Sequence, residues 1–259
     1  MFISFQYCCK YPTFVIKKMG MTNDVFGRAI RDYYFSGKKE GEIQTFSSLG
    51  EEDAFPVSYL FRDFSSMPAL EQHALKLCRG SVLDVGCGAG SHSLHLAGKG
   101  MEVTSLDLSK GAAEVCRARG LTDVVRSDFW RYSGKKFDTL LLLMNGIGIA
   151  GRLDHLPEFF EKAKELLKPS GQIVFDSSDI IYMFDQDEHG HYEFPDPHTY
   201  YGEVIFQVGY KALRSEPFPW LYVDWDTMAK MAATHGFGCQ LVRKGDHYDY
   251  LGKLTLLGY

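Results

Sequence analysis

The chain has 259 residues, of which 45% are hydrophobic and 24% are charged, and its formal net charge is −5. This length and balance allow a large core in one α/β domain, and the negative charge gives no broad attraction to nucleic-acid phosphates. No apolar run approaches the roughly 20 residues of a membrane-spanning helix. We therefore expect a cytoplasmic protein with neither a membrane nor a nucleic acid as partner.

The cysteine pattern favours reduced thiols. No pair shows the C-x-x-C spacing of a zinc site, and the scatter of the cysteines does not fit a secreted disulfide scaffold. The six are Cys8, Cys9, Cys78, Cys87, Cys116 and Cys239. We predict neither a disulfide framework nor a metal site.

The first 80 residues are predicted to lie outside the main domain. Residues 1–20 lack an early positive charge and a convincing cleavage site, so we expect a poorly ordered extension rather than a signal peptide. Residues 21–80 are predicted to form an N-terminal helical cap, with an amphipathic stripe near its start and a helix from about Pro68 to Cys78. The stripe consists of Val25, Phe26, Ile30 and Tyr33.

A glycine turn follows a short apolar strand at Val82-Leu83-Asp84-Val85-Gly86-Cys87-Gly88-Ala89-Gly90. Glycine permits a positive φ and lets a ligand approach the backbone without meeting a Cβ. Ser91–Leu96 can open a helix. The order of strand, tight turn and helix predicts the start of an α/β nucleotide-type site.

A second strand is predicted at Met101–Asp107 and ends in an acid. Asp107 lies 21 residues after Gly86, where doubly wound folds place a carboxylate on the ribose hydroxyls of an adenosine. Two carboxylate oxygens suit a vicinal diol that offers two donors. In the alternative interpretation, Asp107 only caps the following helix, with Ser109 as another cap.

Two further strand ends follow. Val124–Trp130 predicts a short strand that ends in Asp128 and two aromatics, although an ordinary turn with buried aromatics fits as well. Phe137–Leu143 contains the continuous apolar run Leu140–Leu143, typical of a central parallel strand buried on both faces, and it ends at Met144-Asn145-Gly146.

A helix and a fifth strand complete this series. The helical pattern runs over Leu153–Leu167 and ends at Lys168-Pro169-Ser170-Gly171. Gln172–Asp176 then predicts the fifth strand.

These ordered landmarks resemble those of the class I S-adenosylmethionine-dependent methyltransferases over about residues 80–259. The acid inside the first strand, the G-x-G-x-G spacing and the Leu-Leu-Lys-Pro-x-Gly ending carry the resemblance. It implies an α/β fold with a doubly wound, seven-stranded, mostly parallel, Rossmann-like sheet and an antiparallel final hairpin. The methyltransferase domain would span 81–259, with an insertion after strand five at about 177–222.

The resemblance also implies how S-adenosylmethionine binds. Asp84 would hold the ligand's ammonium directly or through water, and the backbone carbonyls of Met144 and Asn145 would also face it. Asp128 would accept from the adenine amino group, with Phe129 covering the ring. The predicted cofactor contacts are Asp84, Gly86, Cys87, Gly88, Gly90, Asp107, Leu108, Asp128, Phe129, Met144 and Asn145.

Two other functions compete with this one. An NAD(P)-dependent oxidoreductase would bind a pyrophosphate at the helix N-terminus and would carry a third glycine at position 91, where the chain has Ser91. No Tyr-x-x-x-Lys or His–Asp arrangement is apparent downstream. A non-catalytic S-adenosylmethionine-binding regulator is the second alternative, and the sequence leaves it open.

The predicted insertion begins as a polar, aromatic-rich segment. Ser177–Asp196 is interpreted as a solvated substrate loop, and Tyr201–Lys211 predicts an extra strand. The segment's histidines lack a companion ligand pattern, so we expect no metal there. They are His189, His191 and His198.

The last 36 residues predict a helix and a hairpin. The helix opens at Asp224 and ends at Gly236. Cys239–Lys244 and Tyr250–Leu257 then read as the two strands of the final hairpin.

The implied reaction moves a methyl group from the sulfonium to an O, N or C nucleophile and leaves S-adenosylhomocysteine. A base must take the proton of a protonated acceptor, and no residue stands out as that catalytic group. Tyr59 and Arg62 are candidates for acceptor contacts. Asn145-Gly146-Ile147-Gly148 lacks the Asn/Asp-Pro-Pro-aromatic motif of amino-directed nucleic-acid methyltransferases, which favours a small-molecule acceptor. The candidate bases are Asn145, Asp176, Tyr59 and His198.

Overall fold

The computed structural model describes residues 24–258, so the predicted extension at 1–20 lies outside the described residues. The helices are α1 (Val25–Phe35), α2 (Ala69–Leu77), α3 (Ser91–Gly98), α4 (Lys110–Ala118), α5 (Leu156–Leu166) and α6 (Trp225–Thr234). The strands are β1 (Glu42–Ser47), β2 (Glu52–Pro56), β3 (Ser81–Val85), β4 (Glu102–Asp107), β5 (Val124–Arg126), β6 (Phe137–Leu142), β7 (Leu167–Ser178), β8 (Glu203–Tyr210), β9 (Leu213–Arg214), β10 (Phe218–Leu221), β11 (Phe237–Lys244) and β12 (Asp249–Leu256).

The larger sheet has seven strands in the order β5-β4-β3-β6-β7-β12-β11. The first five run parallel, whereas β12 is antiparallel to both β7 and β11. The apolar run of β6 is fully buried, with Leu140, Leu141 and Leu142 at 0% exposure. A strand covered on both faces requires such a continuous apolar run. The predicted seven-stranded, mostly parallel fold with an antiparallel final hairpin is confirmed.

A second sheet joins two segments that are distant in the chain. Its order is β10-β8-β1-β2, and β9 pairs with β8. β1 pairs antiparallel with β8, which places Gln44 opposite Gly209. The extra strand predicted at Tyr201–Lys211 is therefore present as β8.

The purely helical cap predicted over 21–80 is corrected by β1 and β2. The alternation Glu42-Ile43-Gln44 leaves Ile43 at 0% exposure between two exposed neighbours, which is the periodicity of a half-buried strand. The division into an N-terminal cap and a domain at 81–259 stays a proposal, since the second sheet takes strands from both segments.

The N-terminal segment is anchored on the helix that follows β4. Asp24 accepts hydrogen bonds from the hydroxyl of Ser109 at 2.9 Å and from the N–H of Gly111 at 3.0 Å. Gly111 packs directly against the backbone of Gly27, so a Cβ at this position would clash. This contact fixes α1 beside α4. None of the helices described is both long and apolar enough to cross a membrane.

Candidate active site

The carboxyl ends of β3, β4, β6 and β7 meet at one edge of the large sheet. The chain runs from β3 outward through β4 to β5, and then returns to β6 and β7 on the other side of β3. In open α/β sheets, ligands bind in the crevice that such a reversal creates. The candidate site is therefore this edge, and its centre is the glycine turn after β3.

The glycine turn presents bare backbone to open space. Gly86 and Gly88 have φ angles of 73° and 55°, a conformation that other residues rarely adopt. A Cβ built on either residue would meet no atom within 4 Å. The N–H groups of Gly86 and Cys87 donate to the carbonyl of Leu106 at 2.8 and 3.1 Å, which ties the turn to β4. A ligand can lie directly against this backbone.

The side chain of Cys87 and a Cβ on Gly90 face the opposite side of the turn, and the predicted cofactor contacts of these two residues stay predictions. A Cβ on Gly90 would lie 2.7 Å from Leu121 and 2.9 Å from Cys116. Cys87 is buried, with its Sγ atom 3.8 Å from that of Cys116. The contact with Cys116, together with burial, raises the pKa of the Cys87 thiol. Both residues pack the turn against α4, and only their backbone atoms are left for a ligand.

Asp107 ends β4 beside the glycine turn. Its two oxygens accept the N–H groups of Gly88 and Ser109, each at 2.8 Å. Ser109, whose hydroxyl accepts the N–H of Ala112, is the N-cap of α4. Each carboxylate oxygen of Asp107 keeps acceptor capacity for a ligand hydroxyl, and burial raises the pKa of Asp107 to about 6. The adjacent Leu108 is half-buried.

Asp84 lies inside the protein, and its predicted contact with the ligand's ammonium, directly or through water, stays a prediction. It is 2% exposed. Its Oδ2 atom accepts the hydroxyl of Ser93 at 2.6 Å, and Ser93 accepts that of Ser105 at 2.8 Å. Burial raises the pKa of Asp84. The physical reason is that β3 lies in the middle of the sheet, where its side chains meet covering helices instead of the edge. Asp84 thus links β3 to α3.

The side chains of Asp128 and Phe129, which follow β5, have different surroundings. Asp128 is half-buried and accepts the N–H of Trp130 at 3.0 Å. Phe129 is 2% exposed and stacks on Phe159, with ring centroids 5.6 Å apart. The side chain of Phe129 belongs to the main core, and its predicted position over an adenine ring stays a prediction. Asp128 stays a candidate for the adenine amino group.

Met144 and Asn145 end β6 in a left-handed conformation. Their φ angles are 62° and 55°, a conformation that costs about 1 kcal/mol or more per residue. The N–H of Asn145 donates to Oδ1 of Asp176 at 2.8 Å, and its Nδ2 donates to the carbonyl of Leu221 at 3.3 Å. The Oδ1 atom of Asn145 is buried without a hydrogen-bond partner. Such strain persists where surrounding structure enforces it, as at ligand sites.

A buried ion cluster, which the sequence interpretation missed, lies close to Asp176. Arg62 pairs with Glu71, and their side chains are 6% and 5% exposed. Nε2 of His92 lies 2.7 Å from Oε2 of Glu71. Burial by itself would raise the pKa of Glu71, but His92 and Arg62 hold it below its usual value. The guanidinium of Arg62 is therefore already paired with Glu71. The sequence feature that could have predicted this pair is Glu71, a single acid on the apolar face of α2.

Three of the four candidate bases meet at the sheet edge. Asn145 bonds to Asp176, and the charge of Asp176 adds to the effect of burial in raising the pKa of Tyr59. His198 instead lies exposed in the insertion. Within residues 24–258, no group of three or more His, Cys, Asp or Glu side chains is arranged to hold a metal ion.

A solved structure is similar to this chain over nearly its whole length. The S-adenosylmethionine-dependent methyltransferase of Bacteroides fragilis, in complex with S-adenosyl-L-homocysteine, is 43% identical with a TM-score of 0.83. The alignment covers 90% of this chain and 95% of that one. The chain belongs to the class I S-adenosylmethionine-dependent methyltransferases. This confirms the resemblance and removes the NAD(P)-dependent oxidoreductase from the alternatives.

Other relatives share a shorter part of this methyltransferase. A family model described as a methyltransferase domain matches residues 82–171. The ubiquinone biosynthesis O-methyltransferase of Pasteurella multocida is 32% identical over 119 residues, which are 41% of this chain and 49% of that protein. A putative methyltransferase of Geobacillus sp. (strain WCH70) is 28% identical over 101 residues, 37% and 41% of the two chains. Each match thus spans less than half of the curated relative.

Proposed function

We propose that this chain transfers the methyl group of S-adenosylmethionine to a small-molecule acceptor. When bound, S-adenosylmethionine supplies an electrophilic methyl group on a sulfonium. The observation that carries the proposal is the contact of Asp107 with the N–H of Gly88 at 2.8 Å, beside glycines whose outer faces are open. This places a ribose-binding acid next to a backbone cradle that a Cβ would fill.

Each residue at the sheet edge contacts a different part of S-adenosylmethionine in this proposal. The backbone of Gly86 and Gly88 lies against the methionine part of the ligand. Asp107 accepts hydrogen bonds from the ribose hydroxyls, and Leu108 lies beside it. Asp128 accepts from the adenine amino group. Carbonyls at the end of β6, at Met144 and Asn145, receive the ammonium. An aligned donor and acceptor avoid much of the entropic barrier, so positioning is the main contribution of the chain.

A covering layer over the edge supports a small-molecule acceptor. We call this layer the roof, and it consists of the second sheet with Val57–Phe61. It touches the glycine side, where the hydroxyl of Ser91 donates to the carbonyl of Leu60 at 2.8 Å. It also touches the β6 side, where Asn145 donates to Leu221. A roof held at both sides, with a net charge of −5, disfavours a nucleic-acid duplex.

Two measurements test the function. S-adenosylhomocysteine should raise the melting temperature and NAD should not, because a ligand that binds the native state stabilises it. The protein should also move label from methyl-labelled S-adenosylmethionine into a deproteinised small-molecule extract of the source cells. Tight binding with no labelled product would favour the non-catalytic regulator instead.

We also place the enzyme in the cytoplasm. Cys78, Cys87, Cys116 and Cys239 are free thiols, which fits a reducing compartment. Fractionation of the source cells checks this, and recovery in a secreted fraction would contradict it.

A further inference from the structure

Asp176 is a carboxylate without a cationic partner at the acceptor side of the site. It lies at the carboxyl end of β7, one strand beyond Met144 and Asn145. Its Oδ1 atom accepts the N–H of Asn145 at 2.8 Å, and its other oxygen receives no hydrogen bond from another described residue. Among residues 24–258 it forms no salt bridge, and it stays half-buried at the edge. Even a half-buried carboxylate loses part of its hydration and is stabilised by a counter-ion, and a cationic ligand would supply one.

The neighbouring basic side chains already bond to another carboxylate. Arg62 and His92 both bond to Glu71, and the guanidinium of Arg62 stacks 3.8 Å from the ring centroid of Tyr59. Within this cluster, the carboxylate of Glu71 is the direct hydrogen-bond partner of both Arg62 and His92. Asp176 therefore contributes the negative charge that an acceptor meets.

Tyrosine side chains lie close enough to this carboxylate for its charge to act on them. Burial raises the pKa of Tyr59, and that of Tyr222 to about 12, and the charge of Asp176 adds to both shifts. Tyr59 is 37% exposed. Tyr182, whose charge also acts on Tyr222, stacks on Tyr248 with ring centroids 4.7 Å apart. Aromatic rings beside a carboxylate attract cations.

We propose that the methyl acceptor is an amine that binds to Asp176 as an ammonium ion and loses one proton to its free oxygen. This inference rests on the proposed function and names its substrate class. The charge-assisted contact supplies the cation that the buried carboxylate lacks. An anionic acceptor would face an unpaired negative charge, and a neutral hydroxyl would leave that charge uncompensated.

The step balances in atoms and charge. The ammonium R–NH3⁺ gives a proton to the carboxylate, which leaves a neutral amine with a free electron pair. That pair forms the new N–C bond while the C–S bond breaks and its electrons stay on sulfur. The products are R–NH2⁺–CH3 and a neutral thioether. The protonated Asp176 then releases its proton to water.

Titration of Asp176 fits this use. Burial raises the pKa of Asp176 to about 7. The charge of Glu71 on α2 raises this pKa further, whereas the hydrogen bond from the N–H of Asn145 and the charge of His92 on α3 lower it. The other ionisable groups that sense its charge are Tyr59, Tyr222 and Tyr250 on β12. A carboxylate that titrates near neutral pH is suited to general base catalysis.

The experiment compares two halves of one deproteinised small-molecule extract, with the complete chain and methyl-labelled S-adenosylmethionine. One half is first treated with formaldehyde and cyanoborohydride, which converts primary and secondary amines to tertiary amines and leaves hydroxyls intact. We expect labelled product from the untreated half and a loss of at least about tenfold in the treated half. Equal labelling of both halves overturns the amine while the proposed function stands. No labelling in either half contradicts the proposed function itself.

Variants test the role of Asp176 separately. Asp176→Asn should lower the rate of labelling about 100-fold or more, the range for loss of a general base, and leave the affinity for S-adenosylhomocysteine within about twofold. The wild-type rate should rise as the pH increases through about 7, and Asp176→Glu should restore part of this pH dependence. The control is Asp226→Asn, the same change on an exposed side chain of α6 outside the site, which should keep full activity. A wild-type pH profile and rate in Asp176→Asn would overturn the proposal.

Discussion

The two sides of the sheet edge are built in different ways. The cofactor side, at the ends of β3, β4 and β5, consists of turns between elements that follow each other directly in the chain. The acceptor side joins the ends of β6 and β7 to the roof, whose strands come from 42–56 and 203–221. The family model matches 82–171, which contains the cofactor side and omits the roof. In the proposed function, binding of the methyl donor depends on local geometry and selection of the acceptor depends on long-range contacts.

The largest effect is expected from the buried ion cluster on the acceptor side. Glu71→Ala leaves Arg62 without its carboxylate partner and should lower the free energy of unfolding by about 3–5 kcal/mol. Urea unfolding measures this change. Glu114→Ala, which removes the exposed partner of Arg31, is the control and should cost less than about 1 kcal/mol. Similar losses in both variants would contradict a special role of the buried pair.

A substitution in the glycine turn should mainly weaken ligand binding, in contrast to the loss of stability expected for Glu71→Ala. Gly88→Ala puts a Cβ into the space that the ligand needs, and should weaken S-adenosylhomocysteine binding about 100-fold by calorimetry, or about 2.7 kcal/mol. Gly37→Ala is matched in backbone strain, since Gly37 has a φ of 71° and open space around it. Gly37→Ala should lower the free energy of unfolding about as much as Gly88→Ala does, and should keep the full affinity for S-adenosylhomocysteine. If both variants bind normally, the turn does not contact the ligand.

Asp107 offers a smaller and pH-dependent test of the cofactor side. Asp107→Asn should weaken S-adenosylhomocysteine binding about tenfold at pH 7.5, as expected for a hydrogen bond to a charged group. Because the pKa of Asp107 is about 6, wild-type affinity should fall as the pH drops below 6, and the variant should not show this fall. Calorimetry between pH 5 and pH 8 measures both.

The stability of the unliganded protein should change with pH in the opposite direction. Folding raises the pKa of Asp107 from 3.8 to about 6, so the folded state holds this proton more tightly than the unfolded chain. The contribution of this residue to stability is therefore lost as the pH rises from about 4 to about 6. A pH-independent affinity in the wild type would show that the Asp107 carboxylate does not bind the ligand.

The smallest effect concerns the strain at the end of β6. Met144→Gly should raise the free energy of unfolding by up to about 1 kcal/mol, because glycine adopts a positive φ without penalty and Met144 is 39% exposed. Ser170→Gly relieves a similar φ of 60° far from the edge and should stabilise the protein comparably. Only Met144→Gly should also lower methyl transfer. An unchanged rate would show that methyl transfer does not depend on the backbone conformation at Met144.

Some site residues were predictable and others were not, for identifiable reasons. Gly86 and Gly88 follow from the strand–turn–helix pattern and Asp107 from the acid that ends the next strand, and the structure brings Gly88 and Asp107 into contact. Cys87 was predicted from the glycine turn and Phe129 from the segment Val124–Trp130, but both side chains pack into the protein. Sequence position shows that a residue lies near a strand end, whereas the direction of its side chain depends on what α4 and α5 bring against it.

The sequence by itself determined the parallel sheet, the glycine turn and the acid after the second strand, because these depend on hydrophobic periodicity and on spacings within one βαβ unit. Only the tertiary structure decided that β1 pairs with β8, that Glu71 lies between Arg62 and His92, and that Asp176 is left without a cation. Those contacts join residues from 9 to more than 160 positions apart. Their formation depends on packing of the whole chain, which no local pattern of residues specifies.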